Sequence, residues 1–334
     1  MSARAGEPLL VVRQLRVLHR VGSKLPFIKP RWLRAVEGVN FNLSPGETVA
    51  LVGESGSGKS TLAKALLGVQ AVAGGSISFG GRELVGLAAR DWQHLRRDIQ
   101  MVFQNPQDSI NPKLRVRDVI AEPLQAFEPR LPAAQRAERV AQMLRRVGLE
   151  AELLEQKAGD LSGGQAQRVA IARALIVQPR LLICDEAISA LDLSAQIEIL
   201  DLLQQIQRDT NLAMLFISHD LAAVRRISHR VMVMYFGRVM EKADAAVLFD
   251  TPRHPYTKAL LASVPGASAE QRALLLREGP APDVTVPQTG CLFVERCPMA
   301  DERCNRSVPH THTLRDGSAV TCHYVSEDWQ PPRG

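Results

Sequence analysis

Several kinds of segment are absent from this chain of 334 residues. No stretch approaches the roughly 18 consecutive apolar residues of a membrane-spanning helix. The first residues lack the apolar core of a signal peptide, so we expect the chain to stay in the cytoplasm. Aromatic residues make up only 4% of the chain and interleave with no arginine-rich tract, so the net charge of +6 does not predict a nucleic-acid partner. Five cysteines are too few for a disulfide scaffold of this size.

The remaining composition, 46% hydrophobic and 23% charged, is that of a soluble globular protein, and the length predicts two or three domains. The first part of the chain is β-rich. Residues 133–147 have apolar side chains at helical spacing, and Pro123 is expected to limit the helix before them. From 161 to 250, buried strands alternate with helices, which predicts a parallel α/β sheet. Frequent prolines after residue 251 predict an extended appendage.

The run GESGSGKST at residues 53–61 fits the phosphate-binding pattern G-x-x-x-x-G-K-[ST] without a mismatch. An apolar strand at 48–52 precedes it and a helix follows, so backbone N–H groups and a helix start surround one point. Lys59 can reach the β- and γ-phosphates of a nucleotide, and the Ser60 hydroxyl can bind Mg²⁺. The predicted phosphate site comprises Gly53, Ser55, Gly56, Ser57, Gly58, Lys59, Ser60 and Thr61.

A second site signal is the apolar run at 181–184, which is followed by two carboxylates. At the carboxyl end of a central strand, Asp185 would point at the Mg²⁺ region of the phosphate loop. Glu186 would lie one step beyond, where a general base is needed to activate water. An isolated Asp-Glu pair often only ends a strand, but a pair downstream of a phosphate loop predicts nucleotide hydrolysis.

The run LSGGQ at 161–165 predicts a second anion-binding helix start in the same chain. Ser162 is a good N-cap, and Gly163 and Gly164 have no side chains to cover the backbone that follows it. The helical insert before this run carries it away from the phosphate loop. We therefore expect it to act on a nucleotide held by another subunit.

In this order, the phosphate loop, Gln104, LSGGQ, the Asp-Glu strand end, the run SALD at 189–192 and His219 resemble the ATPase subunit of ABC transporters. The resemblance covers residues from about 10 to 250. The run PRHPYT at 252–257 and the cysteine-bearing tail resemble the oligopeptide/dipeptide importer branch, and within it the subunits at the second ATPase position.

The resemblance implies a role for each motif in binding and hydrolysing ATP with Mg²⁺. Gln104 would touch Mg²⁺ or the attacking water and sense the transmembrane partner, and the residues after it would contact that partner. Glu186 would be the general base, His219 would brace the γ-phosphate and water, and Asp192 would join two active sites across an interface. The residues that would contact ATP bound to the opposite subunit are Ser162, Gly163, Gly164 and Gln165.

The resemblance also implies the architecture and the partners. The expected fold is an α/β P-loop NTPase core of RecA type with an antiparallel β subdomain, over residues 1–104 and 161–250. Residues 105–160 would form the helical subdomain and 251–334 a C-terminal extension. The implied partners are a paralogous ATPase, two membrane permeases and an extracytoplasmic substrate-binding protein, with the chain peripheral to the cytoplasmic face of the inner membrane.

Three positions depart from the family pattern. Ala166 stands where the family often has a basic residue. Glu186 is followed by Ala187 where the family usually has proline, so the loop loses one fixed φ angle. His19 stands where the family typically places an aromatic residue against adenine, and Trp32 is the alternative for that role.

The tail carries Cys291, Cys297, Cys304 and Cys322 at a spacing unlike that of a zinc ribbon. Four thiolates can hold either an iron–sulfur cluster or zinc, and four reduced thiols in a loop-rich core are the third interpretation. The resemblance implies a [4Fe-4S] cluster. Cys184 is expected to fill the core.

Two alternatives concern function. Chains with LSGGQ-type signatures also act in DNA repair and translation, but those usually carry a long coiled coil or tandem ATPase units, which this sequence lacks. The other alternative is the same machinery importing nickel, an opine or a metal chelate in place of di- and oligopeptides.

Overall fold

The computed structural model describes residues 7–22, 30–263 and 279–325. Its strands are β1 (Leu10–Val21), β2 (Arg31–Leu43), β3 (Thr48–Val52), β4 (Gly74–Phe79), β5 (Arg82–Glu83), β6 (Ile99–Val102), β7 (Leu181–Asp185), β8 (Ala213–Ile217), β9 (Arg230–Tyr235), β10 (Arg238–Asp244), β11 (Thr311–Thr313) and β12 (Ala319–Thr321).

The α-helices in the described residues are α1 (Lys59–Leu66), α2 (Ala89–Asp98), α3 (Pro106–Ser109), α4 (Val116–Phe127), α5 (Ala133–Arg146), α6 (Gly163–Leu175), α7 (Leu193–Thr210), α8 (Leu221–Ile227), α9 (Ala245–Asp250), α10 (Pro255–Ala262) and α11 (Glu302–Arg306). Short 3-10 helices span Ala151–Glu155, Ala158–Asp160 and Val294–Arg296. No helix in these ranges is long and apolar enough to cross a membrane.

The chain divides into two compact units. The phosphate-loop unit comprises Leu10–Asn42, Val49–Val85 and the described residues from Ser228 onward. The signature unit comprises chiefly Leu43–Thr48 and Gly86–Ile227.

The phosphate-loop unit contains an antiparallel sheet and a second sheet region that carries the loop. In the first, β1 lies between β2 and β4. In the second, β3 pairs in parallel with β9, and every residue of β3 is buried. The apolar run at 48–52 therefore forms the predicted strand, and the phosphate loop follows at its carboxyl end.

The C-terminal extension is folded into the phosphate-loop unit. β12 pairs antiparallel with β10, and β11 pairs with β12. A small cluster of buried side chains covers this edge, formed by Leu314, Val320, Cys322 and Val325, with Tyr324 packed against it. The extension thus adds strands to a sheet, which the proline-rich sequence did not predict.

The signature unit contains the parallel strands β6, β7 and β8, with β7 in the middle. β7 and β8 are buried throughout, as expected of parallel strands covered on both faces. The predicted parallel α/β sheet is confirmed by these pairings, and the strand end at Asp185 lies where the sequence placed it.

Two predictions about helices had different outcomes. The helix predicted at 133–147 is present as α5, and Gly148 adopts the left-handed conformation (φ 70°) that ends it. Pro123 was expected to limit the preceding helix, but α4 continues through it to Phe127. Leu124, next to the proline, is fully buried, so packing of the apolar face outweighs the hydrogen bond lost at the proline.

Candidate functional site

The phosphate loop joins β3 to α1 and needs glycine at its two ends for steric reasons. Gly53 and Gly58 have φ angles of 149° and 105°. A Cβ atom on Gly53 would lie 2.1 Å from the carbonyl oxygen of Met234, and one on Gly58 would lie 2.2 Å from that of Ala35. Only glycine fits these positions, and the loop is thereby fixed against its neighbours.

Gly56, between them, is different: it also has a positive φ of 79°, but a Cβ atom there would meet nothing within 4 Å. The space beside this backbone is open and α1 starts at Lys59, so a phosphate group can approach the loop and the helix start here.

Lys59 is buried and turned back onto the loop. Its Nζ donates hydrogen bonds to the carbonyl oxygens of Gly53 (2.8 Å) and Glu54 (2.9 Å). The Ser57 hydroxyl lies 3.4 Å from the same nitrogen. A buried ammonium needs such partners, and phosphate oxygens brought into the loop would be stronger ones.

His19 lies beside the start of α1. Its Nε2 is 3.3 Å from the hydroxyl oxygen of Thr61, a residue of the phosphate loop. Trp32, the alternative for contact with adenine, lies on β2 with 46% of its surface exposed. The contact with Thr61 favours His19 for that role, which stays a prediction.

Glu186 follows the last residue of β7 and has a strained backbone. Its φ of 50° lies in the left-handed region, which is uncommon for a residue with a side chain. The N–H of Glu186 donates to the carbonyl oxygen of Ile217 (2.9 Å), which continues the pairing of β7 with β8 by one residue. Such strain at a strand end is typical of residues that are held for a functional purpose.

The carboxylate of Glu186 brings together the three predicted catalytic residues. Gln104 donates a hydrogen bond from Nε2 to Oε2 of Glu186 (2.9 Å), and His219 Nδ1 lies 3.5 Å from the same oxygen. The Glu186 side chain is 20% exposed and that of His219 is 61% exposed. A carboxylate oriented by an amide and an imidazole, and still open to water, has the arrangement of a general base.

Ser189 holds the turn after Glu186 and was not assigned this role from the sequence. Its hydroxyl donates to the carbonyl oxygen of Glu186 (3.0 Å), and its N–H donates to the same oxygen at 3.2 Å. Ala187 and Ile188 are buried. These contacts fix the loop where the family's usual proline is missing.

The LSGGQ run forms the start of α6 as predicted. The Ser162 hydroxyl accepts a hydrogen bond from the Gln165 N–H (3.3 Å), and the Gln165 side chain accepts one from the Ser162 N–H (3.0 Å). This capping box stabilises the helix start. Cβ atoms on Gly163 and Gly164 would meet only side chains, at 3.9 and 3.8 Å, so the fold of this chain does not require glycine at either position.

Asp192 caps α7. Its Oδ1 accepts hydrogen bonds from the Ala195 N–H (2.9 Å) and the Ser194 hydroxyl (2.7 Å). The backbone hydrogen bond from Ala195 and the one from Ser194 lower the pKa of Asp192 below its ordinary value. The carboxylate therefore has a local structural role besides the one predicted at an interface.

The prediction of a [4Fe-4S] cluster in the tail is wrong. Among the described residues, no three His, Cys, Asp or Glu side chains are placed to hold a metal ion together. The four tail cysteines are free thiols, and burial raises the pKa of Cys291 to about 12 and also raises those of Cys304 and Cys322. Burial in a loop-rich core favours the neutral thiol over the thiolate that binds metal. The same finding gives no support to zinc at this position.

Cys184 behaves as expected of a residue that fills the core. It is fully buried in β7, and burial, followed by the nearby Asp185, raises the pKa of its thiol to about 12.

The C-terminal extension also contacts the phosphate loop, which the sequence did not predict. Glu54 binds Arg296 through its carboxylate and Tyr256 through its backbone N–H. Tyr256 lies within the run at 252–257 that carried the resemblance, whereas nothing in the sequence singles out Arg296.

Two family profiles match the chain. The first is the ABC transporter family, over residues 36–189, which include the phosphate loop, LSGGQ and Glu186. The second is described as the C-terminal region of oligopeptide/dipeptide transporters, over residues 240–304.

Similar proteins extend over nearly the whole chain. The oligopeptide transport ATP-binding protein OppF of Haemophilus influenzae is 42% identical and covers 95% of this chain and 97% of its own length. OppF of Salmonella typhimurium is 44% identical over 94% of this chain and 95% of its own. The di/tripeptide transport ATP-binding protein DppF of Pseudomonas aeruginosa is 42% identical over 96% and 99%.

Solved structures with a similar fold are ATP-binding cassettes. One is a dimer of the cassette MJ0796 in a post-hydrolysis state bound to ADP and phosphate, 27% identical, with a TM-score of 0.63 over 71% of this chain and 98% of that one. Another is CbiO1 of Clostridium perfringens, part of an ABC transporter complex, 30% identical, with a TM-score of 0.62 over 73% of this chain and 91% of that one.

Proposed function

Because the chain belongs to the ABC transporter family, in its branch of oligopeptide and dipeptide transport ATP-binding proteins, we propose that it hydrolyses ATP to power import of di- and oligopeptides through partner membrane permeases. Membership implies that it binds ATP with Mg²⁺. The observation that carries the proposed reaction is the carboxylate of Glu186 held between Gln104 and His219 in a chain with an intact phosphate loop.

The phosphate loop is assigned to the β- and γ-phosphates of ATP. Lys59 would exchange its bonds to the loop carbonyl oxygens for phosphate oxygens, and the space beside Gly56 admits the phosphate chain. Ser60 and Gln104 would hold Mg²⁺, which when bound neutralises charge on the phosphates. His19 would lie against the adenine.

Glu186 is assigned as the general base. Its partly exposed carboxylate would accept a proton from the water that attacks the γ-phosphate. Gln104 fixes the orientation of the carboxylate, and His219 is placed to donate a hydrogen bond to the same water or to the phosphate. The hydrogen bonds from Ser189 to the carbonyl oxygen of Glu186 hold the loop in place, and with it the carboxylate.

Two such ATPases would pair head to tail around two ATP molecules. Gly163 and Gly164 support this proposal, because no neighbour among the described residues would lie closer than 3.8 Å to a Cβ atom at either position. Close approach by a phosphate of a partner's nucleotide would require their lack of a side chain. Leu193, next to Asp192, has 73% of its surface exposed, which is high for leucine and fits an interface. We propose that the partner is a paralogous ATPase.

The permease contact is assigned to the segment after Gln104. Phe103 and Leu114 flank that segment and each leave more than a third of their surface exposed. Exposed apolar side chains on either side of a short polar segment suit contact with a helix from a membrane partner. The chain would then be peripheral to the cytoplasmic face of the inner membrane, with a substrate-binding protein on the other side.

Uptake of a radiolabelled tripeptide tests this function. Cells that lack the native gene are given either the wild-type chain or Lys59→Ala, which removes the ammonium that binds phosphates. We expect uptake with the wild type and uptake at least tenfold lower with Lys59→Ala. Equal uptake by both would contradict the proposal, and competition by nickel or an opine but not by peptides would contradict the cargo.

A further inference from the structure

Glu54, the second residue of the phosphate loop, has each of its polar groups bound. Its carbonyl oxygen accepts from Lys59 Nζ (2.9 Å). Its N–H donates to the hydroxyl oxygen of Tyr256 (3.0 Å). Its carboxylate accepts a charged hydrogen bond from Arg296 (2.9 Å). Two of these three partners come from the C-terminal extension, about 200 residues or more along the chain.

Tyr256 is held rigidly where it meets the loop. It is fully buried, with its ring 4.6 Å from that of Tyr235 and 5.4 Å from that of Phe293. Its N–H donates to Nδ1 of His254 (3.0 Å). A buried tyrosine hydroxyl needs a partner, and the Glu54 peptide supplies one.

The start of α10, from which Tyr256 projects, is anchored in turn. Glu241 of β10 is buried and accepts hydrogen bonds from the N–H groups of Arg253 and His254, both at 2.9 Å. The run at 252–257 is therefore a rigid link between a sheet strand and the phosphate loop.

Arg296 is positioned by Tyr235. The centre of its guanidinium lies 5.9 Å from the centroid of the Tyr235 ring, close enough for a cation–π interaction. The Arg296 guanidinium also donates its hydrogen bond to the Glu54 carboxylate from this position. The side chains of Arg296 and Glu54 are 23% and 36% exposed, so the ion pair is partly shielded from water.

From this geometry we propose that the C-terminal extension positions the phosphate loop for nucleotide binding, with Arg296 and Tyr256 as positioning residues acting through Glu54. They fix the Glu54 peptide whose carbonyl oxygen holds Lys59, and so set the place from which Lys59 meets the phosphates. The inference rests on the proposed function, since it assigns the source of nucleotide affinity in the same loop.

Titration of the purified full-length chain with AMP-PNP tests the inference. We expect Arg296→Leu, Glu54→Gln and Tyr256→Phe each to raise the dissociation constant roughly threefold. The double variant Glu54→Gln/Arg296→Leu should be no weaker than either single variant, because the two side chains act as one pair. Arg296→Lys should recover part of the affinity.

The ion pair of Arg253 with Asp316 is a matched control. It also lies within the extension, spans 2.6 Å and is 17% and 32% exposed, but it does not touch the phosphate loop. We expect Asp316→Asn, which breaks this pair from the side outside the run at 252–257, to change thermal stability without changing nucleotide affinity. Affinity unchanged in Arg296→Leu and Tyr256→Phe, or lowered equally by Asp316→Asn, would overturn the inference.

AMP-PNP binding by the wild-type chain distinguishes a failure of this inference from a failure of the proposed function. If the wild-type chain binds AMP-PNP and Lys59→Ala does not, the phosphate site stands whatever the Arg296 variants show. If the wild type itself shows no binding, the proposed function fails. Turnover at saturating ATP should stay near the wild-type value in Arg296→Leu, so that KM changes and kcat does not.

Discussion

At the scale of single residues, Glu186 combines an unfavourable backbone with a well-held side chain. A φ of 50° costs a non-glycine residue on the order of 1 kcal/mol, and the contacts with Ile217, Ser189 and Gln104 offset it. The strain turns the side chain out of the strand direction toward Gln104 and His219. The conformation is therefore an expected consequence of placing a base at a strand end.

Replacing Glu186 by glutamine tests that role directly. Glu186→Gln keeps the size of the side chain and removes its ability to accept a proton. We expect nucleotide affinity within about twofold of the wild type and ATP turnover at least tenfold slower, measured by phosphate release. Ser189→Ala serves as a comparison and should lower turnover less. Turnover unchanged in Glu186→Gln would remove Glu186 as the base.

The motif residues could be recognised from the sequence because each depends on local geometry. Gly53 and Gly58 have conformations and close contacts that only glycine allows, and Ser162 caps a helix three residues before Gln165. The role of Arg296 could not be predicted, since its partner lies 242 positions away. Neither spacing nor periodicity carries information about such a contact.

At the scale of elements, the extension shows where pattern reasoning fails. The prolines after 251 predicted an appendage, yet Pro255 occupies the first position of α10, where proline is favourable, and β12 pairs with β10. The four tail cysteines resembled a ligand set because sequence spacing does not show where the sulfur atoms point. The buried strands β3, β7 and β8 were predicted well because their apolar runs are continuous.

The anchoring of α10 makes the stability of the extension depend on pH. Burial lowers the pKa of His254 to about 3 from its ordinary value of 6.5. The unfolded chain therefore binds a proton below pH 6.5 that the folded chain refuses until about pH 3, so stability falls as the pH drops through this window. Burial also raises the pKa of Glu241, which acts in the opposite direction.

A comparison of the wild type with His254→Asn isolates the histidine, because Glu241 is present in both. Asparagine can still accept the Tyr256 N–H but does not titrate. Between pH 7 and pH 5, we expect the wild type to lose about 2 kcal/mol of unfolding free energy relative to His254→Asn, measured by urea denaturation. A difference that stays constant with pH would show that His254 is not neutral in the folded chain.

At the scale of the whole molecule, the proposed function requires that each active site be shared between two ATPase chains. The phosphate loop and the general base would serve its own nucleotide, while the start of α6 would serve a partner's. Gly163 and Leu193 of the signature unit are exposed, and no contact among the described residues requires glycine at position 163, whereas Ser162 caps α6. Pairing of the two ATPases should therefore require ATP, and it should require that residue 163 has no side chain.

The substitution Gly163→Glu tests pairing in a chain that we expect to fold normally. Glutamate at the first position of α6 is favourable to the helix dipole, and its Cβ atom would meet only Leu191, at 3.9 Å, among the described residues. Its charge would repel the γ-phosphate of a partner's ATP. In the Glu186→Gln background, where ATP persists, light scattering of the chain with the proposed paralogous ATPase should show ATP-dependent pairs, and Gly163→Glu should abolish them with little change in melting temperature. Ala133→Glu places the same charge at the exposed first position of α5 and should leave pairing intact. Pairs that form without nucleotide, or that tolerate Gly163→Glu, would contradict the shared active site.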